Sequence, residues 1–468
     1  MKLFAFTTVF LATSAVCGLR AELVTPDSPP RGWNSFDGYG VYLRGEAAIP
    51  EIDTLAKKYR RSGYEYFVVD NGWFGEYRLI PGTVFAAEKH ASDIRIDDFG
   101  RPLPSKTYFP EGFAPLIERC HAAGLKFGVH LMRGIPRKAV EANLPIEGSR
   151  YRAGDVADRS PKTSCGWCPY NYRVDMSRPG AQDWYDSLVR RLAGEGVDFL
   201  KYDDITGYPD EARAILEAVR KVKRPMVVSF SPGDTVTPSD AGVFAGGGML
   251  RVTHDIWDRP SDIDAGFAAM RRWAGYEGRS PRPDLDMICF GRLQSMTPAN
   301  TAAGGRQGVA LAGLGSDRKS RFDPAQMRTF FAQRAISGSP LFLGGLLGSY
   351  GEAEDRIVSD PIALAANAEG RNARPTDDRD RCECWLLTDS KVKNAGWIAV
   401  FNRSDKPRLL QPDTLNAGIT SPASLTFAFG RPPVTFVPGT PTGVTVEPGD
   451  AVLFRFAPAP PVIPPGNP

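Results

Sequence analysis

One unit recurs along the first half of the chain: a helical pattern, a glycine, a short apolar run, then polar residues. It appears as RRSGYEYFVVDNGW from Arg60, HAAGLKFGVHLMRG from His121 and LAGEGVDFLKYDD from Leu192. A glycine just past a helix is the usual C-terminal cap, and each apolar run is too short for a second helix, so the unit reads helix, turn, strand. Five further strand candidates are RGWNSF at Arg31, PMVVSFSPGD at Pro225, GMLRVTHDIWD at Gly248, PDLDMICFG at Pro283 and SPLFLGG at Ser339. Amphipathic helices fall between most of them, as over Ile52 to Ser62, Ala181 to Ala193, Glu211 to Val222 and Pro324 to Ile336. Eight alternating units across residues 22–370 predict a (β/α)₈ barrel, an α/β fold whose chemistry sits at the C-terminal ends of the strands.

The chain on either side is of a different kind. Residues 1–21, MKLFAFTTVFLATSAVCGLRA, combine Lys2, an apolar run and a small-residue end, the pattern of a secretory signal peptide cut near Gly18 or Ala21. A secreted or periplasmic protein is the expectation. From residue 371 to 458 the pattern changes to alternating strand-like pieces such as CECWLLTD and GWIAVFNRS among Pro and Gly turns. That predicts a small C-terminal antiparallel β-sandwich, with a Pro-rich tail over 459–468. One connection, Met132 to Arg178, has no periodicity. It carries glycines, prolines, arginines and CGWC, and reads as a wall of the active-site cleft.

A formal net charge of +3 with both signs interspersed gives no basic stripe for nucleic acid. No run after the leader reaches the roughly 18 apolar residues of a membrane span. In an oxidising compartment the close pairs Cys165/Cys168 and Cys382/Cys384 are candidates for disulfides. With four histidines in the chain and the wrong spacing in the second pair, no metal site is expected. Nothing in the pattern specifies an oligomeric state.

The predicted strand ends carry the chemistry. In DFLKYDD, Lys201 and Asp203 share one face of a core strand with Phe199 behind them, and such charges are costly unless they pair or meet a polar ligand. A structural ion pair would account for that strand alone. Other ends, however, present Arg251, Asp255 and Trp257, Asp70, Asn71 and Trp73, and Trp33 and Asn34. Carboxylates, cations, amides and indoles converging on one barrel face suit a sugar, whose hydroxyls need charged and amide partners and whose apolar faces stack on indole.

These motifs, GWNSF, VDNGW, KYDD, RVTHD, LDM and SPLFLGG followed by a β-sandwich, resemble glycoside hydrolase family 27 in order and over nearly the whole mature chain. That family contains α-galactosidases and α-N-acetylgalactosaminidases. The resemblance implies Asp203 as nucleophile and Asp255 as general acid/base. It implies Lys201, Arg251, Trp33 and Asp70 as sugar-binding residues, and no cofactor or metal. Lys201 would hold Asp203 ionised, and a neighbouring negative charge would keep Asp255 partly protonated. Three departures bear on the sugar. Asn71 stands for a second aspartate, His130 and Arg133 occupy a strand end that usually carries tyrosine, and Ser231 and Gly233 leave room at the 2-position.

The expected activity is a secreted retaining exo-α-galactosidase acting on oligosaccharides or polysaccharides with a terminal α-linked sugar. The alternatives are the same catalyst with α-N-acetylgalactosaminide, β-L-arabinopyranoside or isomaltose-type specificity, and a non-catalytic carbohydrate-binding barrel. A phosphate-handling barrel is suggested only by AGGRQG at Ala303, which lacks the strand and helix context of a phosphate loop.

Overall fold

The computed structural model describes residues 23, 25–82, 90–278, 280–294, 318–379 and 381–459. The leader over 1–21, AGGRQG and most of the Pro-rich tail lie outside the described residues. Eight parallel strands follow in chain order: β1 (Arg31–Asn34), β2 (Tyr66–Val69), β3 (Lys126–Met132), β4 (Phe199–Asp203), β5 (Val227–Phe230), β6 (Met249–Arg251), β7 (Arg282–Asp284) and β8 (Leu341–Leu343). Their order in the sheet is β7-β6-β5-β4-β3-β2-β1-β8. A parallel bridge from Ile288, just past β7, to Leu343 in β8 closes the ring, so the chain is a (β/α)₈ barrel.

Around it pack α1 (Gly45–Thr54), α2 (Ala114–Ala122), α3 (Ala181–Glu195), α4 (Pro209–Lys221), α5 (Pro260–Arg272), α6 (Pro324–Ser337), α7 (Glu352–Val358) and α8 (Pro361–Glu369). The helix expected over Ile52 to Ser62 begins earlier, at Gly45, and ends in a π turn and a 3₁₀ turn. A 3₁₀ segment, Pro238–Phe244, takes the helix position after β5.

Strand parity decides what reaches the site. Side chains of one parity, among them Tyr66, Val68, Phe199, Val227, Met249 and Phe342, fill the barrel floor. The other parity, including Trp33, Phe67, Val69, Phe127, Leu200 and Tyr202, faces the helices in the main core. The floor is aromatic, with the Phe199 ring 5.3 Å from Tyr66 and 5.5 Å from Phe342. Rings that large fit because neighbouring strands carry glycine: a Cβ on Gly32 would stand 2.7 Å from Tyr66 Cβ, and one on Gly128 2.9 Å from Phe199 Cβ. One level higher the same parity delivers Asn34, His130, Lys201, Asp203, Ser229, Arg251 and Asp284. A packed apolar floor thus carries a polar layer at the strand ends.

The C-terminal region is an antiparallel sheet of six strands: β9 (Arg374–Arg379), β10 (Cys382–Thr388), β11 (Gly396–Asn402), β12 (Ala423–Phe427), β13 (Val434–Phe436) and β14 (Ala451–Pro458), in the order β9-β10-β11-β14-β12-β13. A two-stranded ribbon, Arg408–Leu409 with Thr445–Val446, accompanies it. Alternation along β10 and β11 sends Trp385, Leu387, Trp397, Ala399 and Phe401 into the barrel's core and Cys384, Leu386, Ile398 and Val400 into a core of its own. Polar ties cross the junction. Arg328 clasps Asp450 at 2.8 Å, Arg271 reaches the buried Glu383, and Arg403 pairs with Asp264 of α5 at 2.8 Å.

The expected disulfides are not formed: all six described cysteines stand as free thiols, with Cys165 and Cys168 packed against Met132. Cys382 and Cys384 lie two apart on β10, on the same side of one strand.

Candidate active site

The ends of β2, β4, β6 and β7, with the loops beyond β1, β3 and β5, enclose a cavity of about 250 Å³. Its wall includes Phe36, Asp37, Asp70, Asn71, Trp167, Lys201, Asp203, Pro232, Arg251, Asp255, Trp257 and Asp286. Five carboxylates and two cations in one cavity demand partners, and each carboxylate draws a different set.

Asp203, at the end of β4, accepts from His130 Nε2 at 3.1 Å, Ser231 Oγ at 3.2 Å and the Asp204 amide at 2.9 Å. Burial alone would raise its pKa. The His130 hydrogen bond and charge, together with the charges of Arg251 and Lys201, outweigh that and hold the carboxyl well below the usual carboxylate range. Asp203 is therefore an ionised, half-buried carboxylate with a free approach from the cavity.

Lys201, two residues earlier, donates to Asp70 Oδ2 at 2.7 Å rather than to Asp203. Burial pulls the ammonium down, but the charges of Asp70 and Asp203 outweigh it and push its pKa up to about 12. Asp70 also accepts from Asn34 Nδ2 at 2.6 Å and from the Asn71 amide at 2.8 Å, and its own amide is bonded to Ser35 Oγ. A carboxylate offers about four acceptor positions. Three are filled by protein, which leaves one directed contact for a ligand hydroxyl beside the Asn71 amide.

Arg251, at the end of β6, forks between Asp255 Oδ1 at 2.5 Å and Asp286 Oδ2 at 3.5 Å. Burial disfavours its charge, yet Asp286, Asp255 and Asp203 together hold the guanidinium above its ordinary value. Asp286 sits at φ 73° and also accepts the Ile256 amide at 2.9 Å, which ties the ends of β6 and β7 together. The Asp255 side chain is 74% exposed, and its bonded neighbour is the Arg251 cation rather than the expected negative charge. Asp37 is the opposite case: it is buried, its Oδ2 has no partner, and burial followed by the Asp286 charge pushes its pKa up to about 8.

The structure thus brings together Asp70, Asn71, Lys201, Asp203, Arg251 and Asp255. It places four other expected residues differently. Trp33 is fully buried on the outward face of β1, stacked on Phe67 at 4.8 Å with its Nε1 bonded to the Gly345 carbonyl, and Phe36, three residues on, reaches the cavity instead. His130 and Ser231 lie beneath Asp203 as its hydrogen-bond donors rather than on the cavity wall. Gly233 is small because the chain passes close behind it: an added Cβ would stand 2.0 Å from the Arg251 carbonyl oxygen. The space expected beside a sugar 2-position is therefore filled by Asp203's partner and by backbone.

Strand parity would have found Phe36, since Asn34 and Phe36 share the inward face of GWNSF, and LDM carries Asp286. Asp37 and Trp167 carry no signal at the level of motif. Trp167 belongs to the long connection between β3 and α3, and its place in the cavity wall agrees with the reading of that segment as a cleft wall.

No family model matches the chain. Over 94% of its length and 98% of the other chain, it superposes on a family 27 β-L-arabinopyranosidase of Geobacillus stearothermophilus, with a TM-score of 0.80 and 29% sequence identity. It is 21% identical over 441 residues to an α-galactosidase of Oryza sativa subsp. japonica, covering 92% of this chain and 85% of the relative. To α-galactosidase A of Cellvibrio japonicus it is 26% identical over 389 residues, covering 81% and 76%.

Proposed function

Since the chain is a melibiase-like glycoside hydrolase of family 27, we propose that it is a retaining exo-glycosidase that removes terminal α-D-galactosyl residues by double displacement. One observation carries the reading: Asp203, held ionised from below by His130 and Ser231, shares a cavity with the exposed carboxyl of Asp255.

In this mechanism Asp203 attacks the anomeric carbon while Asp255 gives its proton to the departing oxygen. The same residue then takes a proton from the water that hydrolyses the glycosyl-Asp203 ester. The oxocarbenium-like transition state is electron-poor at the ring, and the Asp203 charge lies where that positive charge develops. A carboxyl bonded to a guanidinium has no proton to give, so Asp255 must leave Arg251 to act as acid. Asp70, fixed by Lys201 and Asn34, and the Asn71 amide receive hydroxyls on the axial side of the sugar.

A second reading has its own support. β-L-Arabinopyranose has the ring configuration of α-D-galactopyranose without the hydroxymethyl group, so one catalytic arrangement fits both. Asn71 in place of a second carboxylate weakens the grip on the larger sugar, and the Geobacillus stearothermophilus neighbour carries the arabinopyranosidase name. Ser231 and Gly233 are engaged with Asp203 and the Arg251 carbonyl and so lend no support of their own to an N-acetyl group at the 2-position. The leader over residues 1–21 supports secretion or export to the periplasm. Among the described residues no helix is long and apolar enough to cross a membrane.

The test is a panel of nitrophenyl glycosides. The α-D-galactopyranoside is expected first and the β-L-arabinopyranoside next, with α-N-acetylgalactosaminide and α-glucoside far behind. An arabinopyranoside-first order moves the name to the second reading, and an α-glucoside-first order removes both.

A further inference from the structure

Trp167 is anomalous in its position. Among the described residues the exposed large hydrophobic side chains are Ile49, Trp167, Val392, Leu409 and Val437, and Trp167 alone of these is aromatic and lines the cavity. It is 42% exposed, while the residues two before and one after it, Cys165 and Cys168, are buried. An indole left in water on a well-anchored loop forfeits a large burial gain, so it is held out for a partner.

The anchoring is specific. Arg133 donates to the Thr163 carbonyl and to the Asp204 carbonyl, both at 2.7 Å, and Arg137 donates to Ser164 Oγ at 3.0 Å. Arg133 also pairs with the Asp204 carboxyl at 2.9 Å, and Cys165 and Cys168 pack together on Met132 at the end of β3. Tyr170 closes the loop with its ring edge-on to Phe74 at 5.8 Å. The loop is therefore tied to Asp204, the residue that follows Asp203, and the indole has a fixed place relative to the reacting carboxylate.

Of the residues lining the cavity, only Trp167 and Asp255 are exposed, so these two form its mouth. In an exo-acting enzyme the terminal sugar goes to the closed end and the remainder of the substrate leaves through the mouth. We propose that Trp167 is the platform for the leaving-group sugar: the indole stacks on the apolar face of the residue whose oxygen Asp255 protonates, and so sets a preference for glycosidic over simple alkyl leaving groups. This rests on the retaining exo-glycosidase reading above. The substrate class it implies is an oligosaccharide or glycan in which the released sugar is joined to another pyranose with an exposed C–H face.

The experiment compares the full-length wild type with Trp167→Ala and Trp167→Phe. The substrates are an α-D-galactosyl-(1→6)-glucose disaccharide and methyl α-D-galactopyranoside, with the matching β-L-arabinopyranosides alongside. The ratio of kcat/KM for disaccharide over methyl glycoside is expected to fall about tenfold in Trp167→Ala, mainly through KM, equivalent to about 1.4 kcal/mol, and to recover most of the way in Trp167→Phe. A general loss of fold or of chemistry lowers both substrates and leaves the ratio unchanged, and an unchanged ratio overturns the proposal. Should the wild type cleave none of these glycosides, the exo-glycosidase reading fails first, an outcome distinct from an unchanged ratio.

Discussion

The Lys201 ammonium sits 2.7 Å from Asp70 Oδ2, a residue at the end of another strand, although Asp203 lies two positions away on its own. The reason is the inward layer of the barrel. Lys201 is flanked across β3 by His130, its register partner, and His130 reaches up to Asp203 and leaves the ammonium to Asp70. The two carboxylates are thus held by different means, Asp70 by a charge pair and Asp203 by hydrogen bonds with the cations at longer range.

Lys201→Met separates these roles. Removing one partner of a buried ion pair strands the other and destabilises the fold; separately, Asp70 loses the group that fixes it toward the sugar, so kcat/KM on the preferred aryl glycoside should fall on the order of 10² to 10³. The loss should appear in KM as well as kcat, because Asp70 touches the sugar in the ground state too. A KM that stays at the wild-type value would show that Asp70 does not bind substrate.

For Asp203→Ala the expected loss in kcat is on the order of 10⁴ or more. Sodium azide should restore part of the activity by occupying the emptied site, and the product should be a glycosyl azide of inverted configuration. Near-normal turnover without azide would move the nucleophile elsewhere.

Asp255→Ala should depend on the leaving group. Dinitrophenol departs with little protonation, so its glycosides should lose far less activity than disaccharides. Equal losses on both would take Asp255 out of the acid role and leave it as a partner of Arg251 alone.

Much of this architecture is legible in the sequence because it follows from period. The helix, glycine, strand unit gives the barrel, the strand ends give Asp70, Lys201, Asp203, Arg251 and Asp255, and alternation after residue 371 gives the antiparallel sheet. What escapes depends on packing between elements distant in the chain. Trp33 is of a type that suits a sugar platform, but its parity sends it outward onto Phe67. Gly233 reads in sequence as room for a ligand, yet its neighbour is the carbonyl of Arg251 on another strand. His130 acts through a hydrogen bond to a residue 73 positions on, and Trp167 owes its place to a loop with no period to read.

His130 offers a test through pH. The folded-state pKa of Asp203 is depressed, so its ionised form, with any stability its pairing contributes, is complete above the free-carboxylate value of about 4 and is lost only as pH falls through the lower folded value. The acid limb of kcat/KM set by Asp203 should lie below that point in the wild type. His130→Phe deletes the hydrogen bond and the charge opposite Asp203 while keeping a ring in the site, and should move the limb upward. A limb that does not move would leave His130 as packing only.

Asp37 gives the opposite sign, in stability rather than rate. Its carboxyl is buried near Asp286, Asp70, Lys201 and Cys289, its Oδ2 has no partner, and its folded pKa is pushed up to about 8. Below a pH of about 4 both folded and unfolded chains carry the proton and Asp37 adds no pH dependence. Between there and the folded value the unfolded chain releases a proton that the folded chain keeps, so stability falls as pH rises. Asp37→Asn removes that slope, because the amide cannot ionise. Any fixed cost of the amide in the site is the same at every pH and cancels in the comparison. The Tm of Asp37→Asn minus that of the wild type, measured by calorimetry, should therefore be more positive at pH 8 than at pH 5. A difference that stays constant between the two would mean that Asp37 is already ionised in the fold, with a cation reaching its free oxygen.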